Sequence, residues 1–200
     1  YISEITLKIK GNGTQKIFYK KNAESPNQIY LNRNLTDSKL KDKYITININ
    51  GNADQENNIS LIWNNFRGHL MYLFRSLTNI IEADLSKLNA SIIEMQSTFN
   101  GCSSLKFANL SNLDISQVTN MGHLFAYCIS LTSVDLSNLD TSKVNFMDNM
   151  FLNCFSLSTL NLSNFDTSKV SNIENMFKNC KSLISLNLSN FNLPLIKDIS

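Results

Sequence analysis

The stretch that decides the fold runs Phe151-Leu-Asn-Cys154-Phe-Ser-Leu157-Ser-Thr-Leu160-Asn-Leu162-Ser-Asn-Phe165-Asp-Thr-Ser-Lys-Val170, and it recurs along the chain. A more divergent copy comes first, around Phe74, and has Leu77 in place of the cysteine. A fixed period of this kind is the signature of a solenoid, in which each copy forms one coil and stacks on the next. The cysteine marks the step of 26 residues, falling at Cys102, Cys128, Cys154 and Cys180.

Each copy combines two hydrophobic periods. Apolar residues spaced three, four and seven apart predict one face of a short helix, as at Met147, Met150, Phe151 and Cys154. Leu160 and Leu162 alternate with polar residues, which predicts a short strand. Asn, Asp and Ser at 164–168 predict a turn. The pattern therefore predicts an α/β solenoid in which each coil of about 26 residues holds one short parallel strand and one short helix.

The first third of the chain does not share this repeat. Residues 1–66 show several strand-like alternations and a Gly11-Asn12-Gly13 turn, which predicts a β-hairpin. We expect 1–66 to be a β-rich cap module that covers the first edge of the solenoid, and 67–200 to hold about five repeats, the last incomplete. Because the chain opens within a strand pattern and stops within a repeat, we also expect it to be a mature or excised piece of a longer protein.

The pattern F-x-x-C-x-S-L-x-x-L-x-L-S-N-F-D-T-S-K-V resembles the BspA-like class of leucine-rich repeats of microbial surface proteins. The resemblance covers about residues 67–200. It implies a leucine-rich-repeat fold and a non-catalytic, surface-exposed protein linked to adhesion or host-protein binding. In this chain the repeat asparagine comes one residue earlier than in ordinary leucine-rich repeats, so the usual asparagine ladder is not assumed; it falls at Asn112, Asn138, Asn164 and Asn190.

The cysteines share one phase, which predicts buried free thiols that act as small hydrophobic groups. Helices of adjacent coils would lie roughly 8–10 Å apart, and a disulfide needs Cα atoms within about 7 Å. The long constant spacing also disfavours zinc. No cofactor is expected.

Catalytic and metal-binding patterns are weak. The two histidines, His69 and His123, have no nucleophilic partner evident in the sequence, and His123 is expected to face solvent. The acidic ladder Asp114, Asp140 and Asp166 is expected to accept backbone N–H groups in turns, with calcium as the alternative. We therefore expect no enzyme activity.

The composition of the chain limits the classes of partner that we expect. A formal net charge of +2 gives no reason to expect nucleic acid, and a hydrophobic content of 42% supports a packed core. No run approaches the roughly 18 apolar residues of a membrane span, and no signal peptide is evident.

Glycosylation sequons are frequent. Those with repeat phase, at Asn109, Asn161 and Asn187, are expected to lie on the strands as by-products of the repeat. Better acceptors are Asn12, Asn34 and Asn58, which are expected in turns, and Asn89.

The polar positions of the repeat strands form the candidate ligand-binding face. Apart from Phe107 this face is small and polar, and it lacks the Trp, Tyr and Arg that dominate tight protein interfaces. Weak, multivalent contact is therefore expected. The candidate residues are Asn109, Ser111, Ser133, Asp135, Ser137, Thr159, Asn161, Ser163, Asn187 and Ser189.

Taken with the resemblance, these patterns favour a non-catalytic extracellular or cell-surface protein mediating adhesion or recognition of a protein or glycan. The alternative is a structural repeat unit of a larger surface coat or filament, whose partners are other copies of the same chain. Neither interpretation involves nucleic acid or a membrane span in this segment.

Overall fold

The computed structural model describes residues 2–20, 25–37, 39–41 (backbone only) and 43–196. Within them the chain forms twelve strands and no helix. The front strands are β1 (Ser3–Lys10), β2 (Gly13–Tyr19), β3 (Gln28–Leu31), β4 (Asn34–Leu35), β5 (Lys39–Lys41), β6 (Tyr44–Ile49) and β7 (Glu56–Trp63). The coils contribute β8 (Ile80–Asp84), β9 (Phe107–Asn109), β10 (Ser133–Asp135), β11 (Thr159–Asn161) and β12 (Ser185–Asn187).

The predicted helix of each repeat is wrong, because successive turns occupy that segment. In each coil two residues of this segment have positive φ, for example His123 at 57° and Tyr127 at 61°, and an α-helix cannot pass through left-handed residues. Backbone bonding alternates accordingly. Cys128 N–H bonds back three residues to Phe125 C=O at 3.1 Å, whereas Phe125 N–H bonds to Met150 C=O of the next coil at 2.9 Å. The α/β solenoid is thus corrected to a stack of strands and turns.

The apolar residues that suggested a helix still point inward, since each turn of three or four residues returns the chain to the same side. Phe125 and Phe151 are fully buried, as are Met121 and Met147. The phenylalanine rings stack from coil to coil with centroids 5.3–6.1 Å apart, in the series Phe74, Phe99, Phe125, Phe151 and Phe177. This ring column is the spine of the stacked coils.

The repeat strands pair in parallel and in register. β9 lies between β8 and β10, and β11 pairs with β12 in a separate two-stranded sheet. The repeat asparagines also join neighbouring coils: Asn138 Nδ2 donates to Asn112 Oδ1 at 3.3 Å and Asn164 Nδ2 to Leu136 C=O at 3.0 Å. Ring stacking thus runs through all the coils, strand pairing joins β8 to β10 and β11 to β12, and asparagine side chains add contacts between neighbouring coils.

The front strands form two facing sheets. β1, β7, β3 and β4 continue the sheet of β8, β9 and β10, giving seven strands in the order β10-β9-β8-β1-β7-β3-β4, while β2, β6 and β5 form the other sheet. Phe18 of β2 meets Trp63 of β7 at a ring-centroid distance of 6.5 Å between the two sheets. The predicted hairpin at Gly11-Asn12-Gly13 is wrong, because this turn carries the chain from one sheet to the other.

The first coil edge is covered by the front strands. β1 pairs antiparallel with β8, with Thr6 opposite Asp84, and the two parts share one hydrophobic core. Because the pairing is direct, side chains on the outer surface of β1 continue the outer surface of the coil strands. In the described part of the chain, no helix is long or apolar enough to cross a membrane.

Candidate functional site

Two rows of outward side chains cross the seven-stranded sheet, and we call this surface the outer sheet face. Alternation in β1 buries Ile5, Leu7 and Ile9 and leaves the residues between them partly exposed. Strand register places outward residues of neighbouring strands side by side. One row holds Tyr30, Ser60, Thr6, Asp84, Asn109 and Asp135, and the other holds Asn58, Lys8, Glu82, Phe107 and Ser133.

Charged groups concentrate where β1 meets β8. Lys8 Nζ lies 2.7 Å from Glu82 Oε1 and 3.8 Å from Glu56 Oε2. The hydrogen bond from Lys8 to Glu82 raises the pKa of the Lys8 ammonium above its usual value. Near the start of β1, Glu4 Oε2 lies 3.7 Å from Nζ of Lys87, a residue that follows β8. Both signs of charge are thus present on a surface that is otherwise made of amides and hydroxyls.

Phe107 borders a shallow pocket in this charged region. The pocket has a volume of about 210 Å³ and adjoins a wider depression of about 820 Å³, with which it shares Thr6 and Asn58. The Phe107 side chain is 37% exposed, so part of its ring faces solvent. The smaller pocket is lined by Thr6, Leu7, Lys8, Asn58, Glu82, Ala83, Asp84 and Phe107.

The strand-end residues of the candidate face are engaged in turns. Asn109 Oδ1 accepts the Ser111 N–H at 3.0 Å, and Asp135 Oδ1 accepts the Ser137 N–H at 2.9 Å. Asn161 and Asn187 do the same for Ser163 and Ser189. These side-chain oxygens are therefore partly used inside the fold, as expected of Asn and Asp before a turn.

The structure brings the candidate residues together in two groups. Asn109, Ser133 and Asp135 lie on the seven-stranded sheet beside Phe107, and Ser133 is directly opposite Phe107. Ser111 is only 9% exposed and has little surface to offer a ligand. Ser137 follows β10, and Thr159, Asn161, Ser163, Asn187 and Ser189 lie at or after β11 and β12, where Thr159 is opposite Ser185 and Asn161 opposite Asn187.

The acidic ladder forms the predicted turns. Asp114, Asp140 and Asp166 accept the backbone N–H groups of the serines two residues later, at 3.1, 3.0 and 2.9 Å. A hydrogen bond from the Ser116 hydroxyl is the main cause that lowers the pKa of Asp114; the Ser142 hydroxyl has that role for the pKa of Asp140, and the Ser168 backbone N–H for the pKa of Asp166. Among the described residues, no group of three or more His, Cys, Asp or Glu is placed to hold a metal ion.

The cysteines are free, and those at 102, 128 and 154 are buried as predicted. Each thiol donates to a phenylalanine carbonyl of the preceding coil, as from Cys128 Sγ to Phe99 C=O at 3.1 Å and from Cys154 Sγ to Phe125 C=O at 3.2 Å. Burial raises the pKa of the Cys102 thiol to about 12. The argument against disulfides assumed helices roughly 8–10 Å apart, and this assumption is wrong, because rings of adjacent coils stack at 5.3–6.1 Å. The thiols are nevertheless free, and each donates its hydrogen bond to a backbone carbonyl.

The histidines contact carboxylates of the next coil. His69 Nδ1 lies 3.1 Å from Glu94 Oε2, and His123 Nε2 lies 3.4 Å from Asp148 Oδ2. The prediction that His123 faces open solvent is therefore only partly right, because its side chain is 34% exposed.

The sequon asparagines differ in their settings. Asn12 lies in the turn between β1 and β2, and Asn89 in an exposed loop after β8. The prediction that Asn34 and Asn58 lie in turns is wrong: Asn34 begins β4 and Asn58 lies within β7. All four side chains are exposed.

The pocket residues Lys8, Glu82 and Thr6 were not identified from the sequence. Their strands are far apart along the chain, with Lys8 and Glu82 separated by 74 residues. The alternation of Glu4, Thr6 and Lys8 with buried residues indicated an outward row. Nothing local indicated that this row would adjoin β8.

The stacked coils of turns and short parallel strands, joined at one end to a pair of facing sheets, define a solenoid protein that lacks helices within its described residues. A family model described as "Mycoplasma protein of unknown function, DUF285" matches residues 69–200, and the chain belongs to this family. No curated protein matches the chain. No solved structure matches it either.

Proposed function

We propose that this is a non-catalytic recognition protein of the extracellular space or cell surface, comparable to the BspA-like leucine-rich-repeat proteins that its repeat resembles. Its outer sheet face makes the contact, and the favoured ligand is a glycan. The observation that carries the proposal is the half-exposed Phe107 ring beside Lys8, Glu82 and Asn58 in one shallow pocket.

The chemistry of this pocket suits a sugar. An exposed aromatic ring offers an apolar surface on which the C–H face of a sugar ring packs. The Asn58 amide, the Glu82 carboxylate and the Lys8 ammonium supply donors and acceptors for hydroxyl groups. A few polar groups around an apolar surface are the usual composition of a small-molecule site.

A tight protein partner is less well supported. Interface hot spots favour Trp, Tyr and Arg in desolvated pockets, and the pocket beside Phe107 is lined by none of these residues. The neighbouring strand-end oxygens of Asn109 and Asp135 already accept turn hydrogen bonds. Weak contacts of this kind become effective when several copies act together, because linking raises the effective concentration.

The proposal assigns no chemical step to the chain. Thiolates, not thiols, are nucleophiles, and burial raises the pKa of Cys102, Cys128 and Cys154 above the usual range. Each of these thiols donates to a backbone carbonyl of the preceding coil. Their arrangement supports a packing role.

The test is to display the protein at high density on beads and to screen it against glycans and matrix proteins. Phe107→Ala should abolish the binding that the native protein shows, because it removes the ring from the pocket. Phe146→Ala is the matched control, since Phe146 is also a half-exposed aromatic side chain, at 43%, but lies outside the pocket. Binding that survives Phe107→Ala would refute the site. Absence of binding together with lateral self-association would favour a structural coat protein.

A further inference from the structure

A second concave region lies where the sheet of β2, β6 and β5 meets the first coil, and we call it the tyrosine pocket. It has a volume of about 380 Å³ and shares no lining residue with the pocket beside Phe107. Its lining consists of three aromatic side chains, one guanidinium and one hydroxyl, from Tyr19, Tyr44, Tyr72, Arg75 and Ser76.

The sheet side of the tyrosine pocket is a cross-strand pair of tyrosines. Tyr19, at the end of β2, is directly opposite Tyr44, at the start of β6. Their ring centroids are 5.2 Å apart and the ring planes are tilted by 55°. Tyr19 N–H donates to Leu73 C=O at 2.7 Å, so a backbone hydrogen bond fixes this pair against the first coil.

A tight turn of the first coil forms the other side of the pocket. Arg75 N–H donates to Tyr72 C=O at 3.0 Å, which brings the two side chains together. Arg75 Cζ lies 5.2 Å from the centroid of the Tyr72 ring, within the range of a cation–π contact. This contact holds the guanidinium at the pocket without using its N–H groups.

The charged groups around the tyrosine pocket are cations. Lys16 Nζ lies 4.2 Å from the centroid of the Tyr44 ring. Lys20 N–H donates to Lys43 C=O at 2.9 Å, beside the tyrosine pair, and both of these lysine side chains are exposed. None of the ion pairs that the structure shows between described residues includes Arg75 or these three lysines. The pocket and its surroundings are therefore complementary to an anion.

The repeat itself does not require this lining. In the later coils the position of Tyr72 holds smaller polar side chains, at Ser97, His123, Asn149 and Asn175. The position of Arg75 holds unrelated side chains, at Asn100, Ala126, Leu152 and Lys178. Tyrosine and arginine occur together only in the coil that meets the sheet of β2, β6 and β5, so stacking of the coils does not account for them.

We propose that the tyrosine pocket binds an acidic sugar, a sugar ring that carries a carboxylate. The Arg75 guanidinium donates two parallel N–H bonds to the carboxylate. A tyrosine ring packs against the C–H face of the sugar, and the phenol and Ser76 hydroxyls exchange hydrogen bonds with the sugar hydroxyls. The ligand class rests on the glycan-binding function proposed above, whereas the site is separate from the pocket beside Phe107.

The size and lining of the pocket favour a small ligand over a protein segment. Small-molecule sites commonly measure about 300–1,000 Å³ and combine aromatic walls with a few polar groups, and the tyrosine pocket has both properties. A stable protein interface uses roughly 20–30 residues on each side, whereas five line this pocket. Hydroxyl groups both donate and accept hydrogen bonds, which suits a ligand rich in hydroxyls.

The experiment compares methyl glucuronide with methyl glucoside, which has a hydroxymethyl group where the glucuronide has its carboxylate. Binding to the full chain is followed by the amide chemical shifts of Tyr72, Arg75 and Ser76. Methyl glucuronide should bind at least about tenfold more tightly, because a charge-assisted hydrogen bond is stronger than a neutral one. Equal binding of the two probes would overturn the proposal.

Arg75→Gln should weaken binding of methyl glucuronide at least about tenfold and remove the difference between the probes. The Arg75 side chain is exposed, so the substitution leaves the core intact. Arg33→Gln is the matched control and should not change the binding, since Arg33 is also an exposed arginine but does not line the tyrosine pocket. Glucuronide binding that survives Arg75→Gln would overturn the site.

Three further results would contradict the proposal. Absence of shifts with methyl glucuronide at tens of millimolar would exclude an acidic sugar. Tighter binding of benzoate would assign the pocket to aromatic carboxylates, and tighter binding of a tetraglutamate peptide would assign it to a protein partner. The bead screen with Phe107→Ala tests the outer sheet face alone, so either site can fail without the other.

Discussion

The stacked phenylalanine column should be most sensitive to substitution in its middle. Phe125 is fully buried, with Phe99 at 5.4 Å on one face and Phe151 at 5.7 Å on the other. Phe125→Ala removes a buried aromatic side chain, which costs about 3–5 kcal/mol including the cavity. The two ring pairs place the loss in the upper part of that range, because each contributes about 0.5–1.5 kcal/mol beyond area burial.

The same substitution in the last coil, residues 171–196, provides the comparison. Phe177 is only partly buried and has one stacking partner, at 6.1 Å. Since a fully buried Phe contributes about 1.5–3 kcal/mol by area, the partial burial of Phe177 predicts a smaller loss, about 1–2 kcal/mol, for Phe177→Ala. Phe146→Ala, at an exposed aromatic residue, should cost about 0.5 kcal/mol.

The assay is urea unfolding followed by tryptophan fluorescence and circular dichroism, with m-values compared to detect partial unfolding. The free energy of unfolding should fall most for Phe125→Ala, less for Phe177→Ala and least for Phe146→Ala. Equal losses at positions 125 and 177 would refute the reasoning, because they would mean that both rings are enclosed on two sides.

Three further outcomes are expected. Gly68→Ala should lower Tm sharply, because Gly68 has φ +79° and an added Cβ would lie 2.1 Å from the Ser91 carbonyl oxygen. Gly13→Ala should lower Tm less, because Gly13 has φ +65° but open space around it. Equal shifts in Tm would contradict this reasoning. Under native conditions Cys180 should be alkylated before Cys102, Cys128 and Cys154, since it alone among the four is only partly buried, and uniform labelling would contradict the packing. The pKa values of Asp114, Asp140 and Asp166 are lowered in the folded protein. These carboxylates therefore stabilise the fold at pH values above the unfolded carboxyl pKa, about 3.9, and this stabilisation is lost as the pH falls through their lower pKa values in the folded protein. Replacing all three by Asn should therefore flatten the loss of stability between pH 5 and 2 in a pH series of melting curves, and an unchanged acid profile would exclude this contribution.

Part of the fold could be predicted from the repeat alone. The constant cysteine step required identical stacked coils, and the alternation at Leu160 and Leu162 located the strand β11. The D-x-S pattern specified turns such as Asp140 to Ser142, because that chemistry is local. The hydrophobic periodicity gave a wrong prediction for the segment that was expected to be a helix. Spacings of three and four residues fit consecutive turns as well as one helix, and only the left-handed residues separate the two.

A sequence signal for those residues was present but weak. In the last two coils the left-handed positions are asparagines, at Asn149, Asn153, Asn175 and Asn179, and Asn tolerates positive φ better than most residues. Earlier coils have His123 and Tyr127 there, which blurred the pattern.

The pairing of β1 with β8 was beyond local reasoning. It depends on contacts between residues 74 positions apart, such as Lys8 and Glu82. The Gly11-Asn12-Gly13 turn suggested a hairpin because such turns usually join paired strands. Here the turn joins two sheets, and this places Lys8 beside Phe107 in the candidate site.

The most direct test of the helix-free coil is an NMR measurement of scalar couplings across backbone hydrogen bonds. The Phe125 amide nitrogen should couple to the carbonyl carbon of Met150 in the next coil, because that bond is 2.9 Å long. The Cys128 nitrogen should couple to the Phe125 carbonyl. A helix through this segment would instead couple the Phe125 nitrogen to the Met121 carbonyl, four residues earlier. Observation of that coupling would contradict the coil architecture.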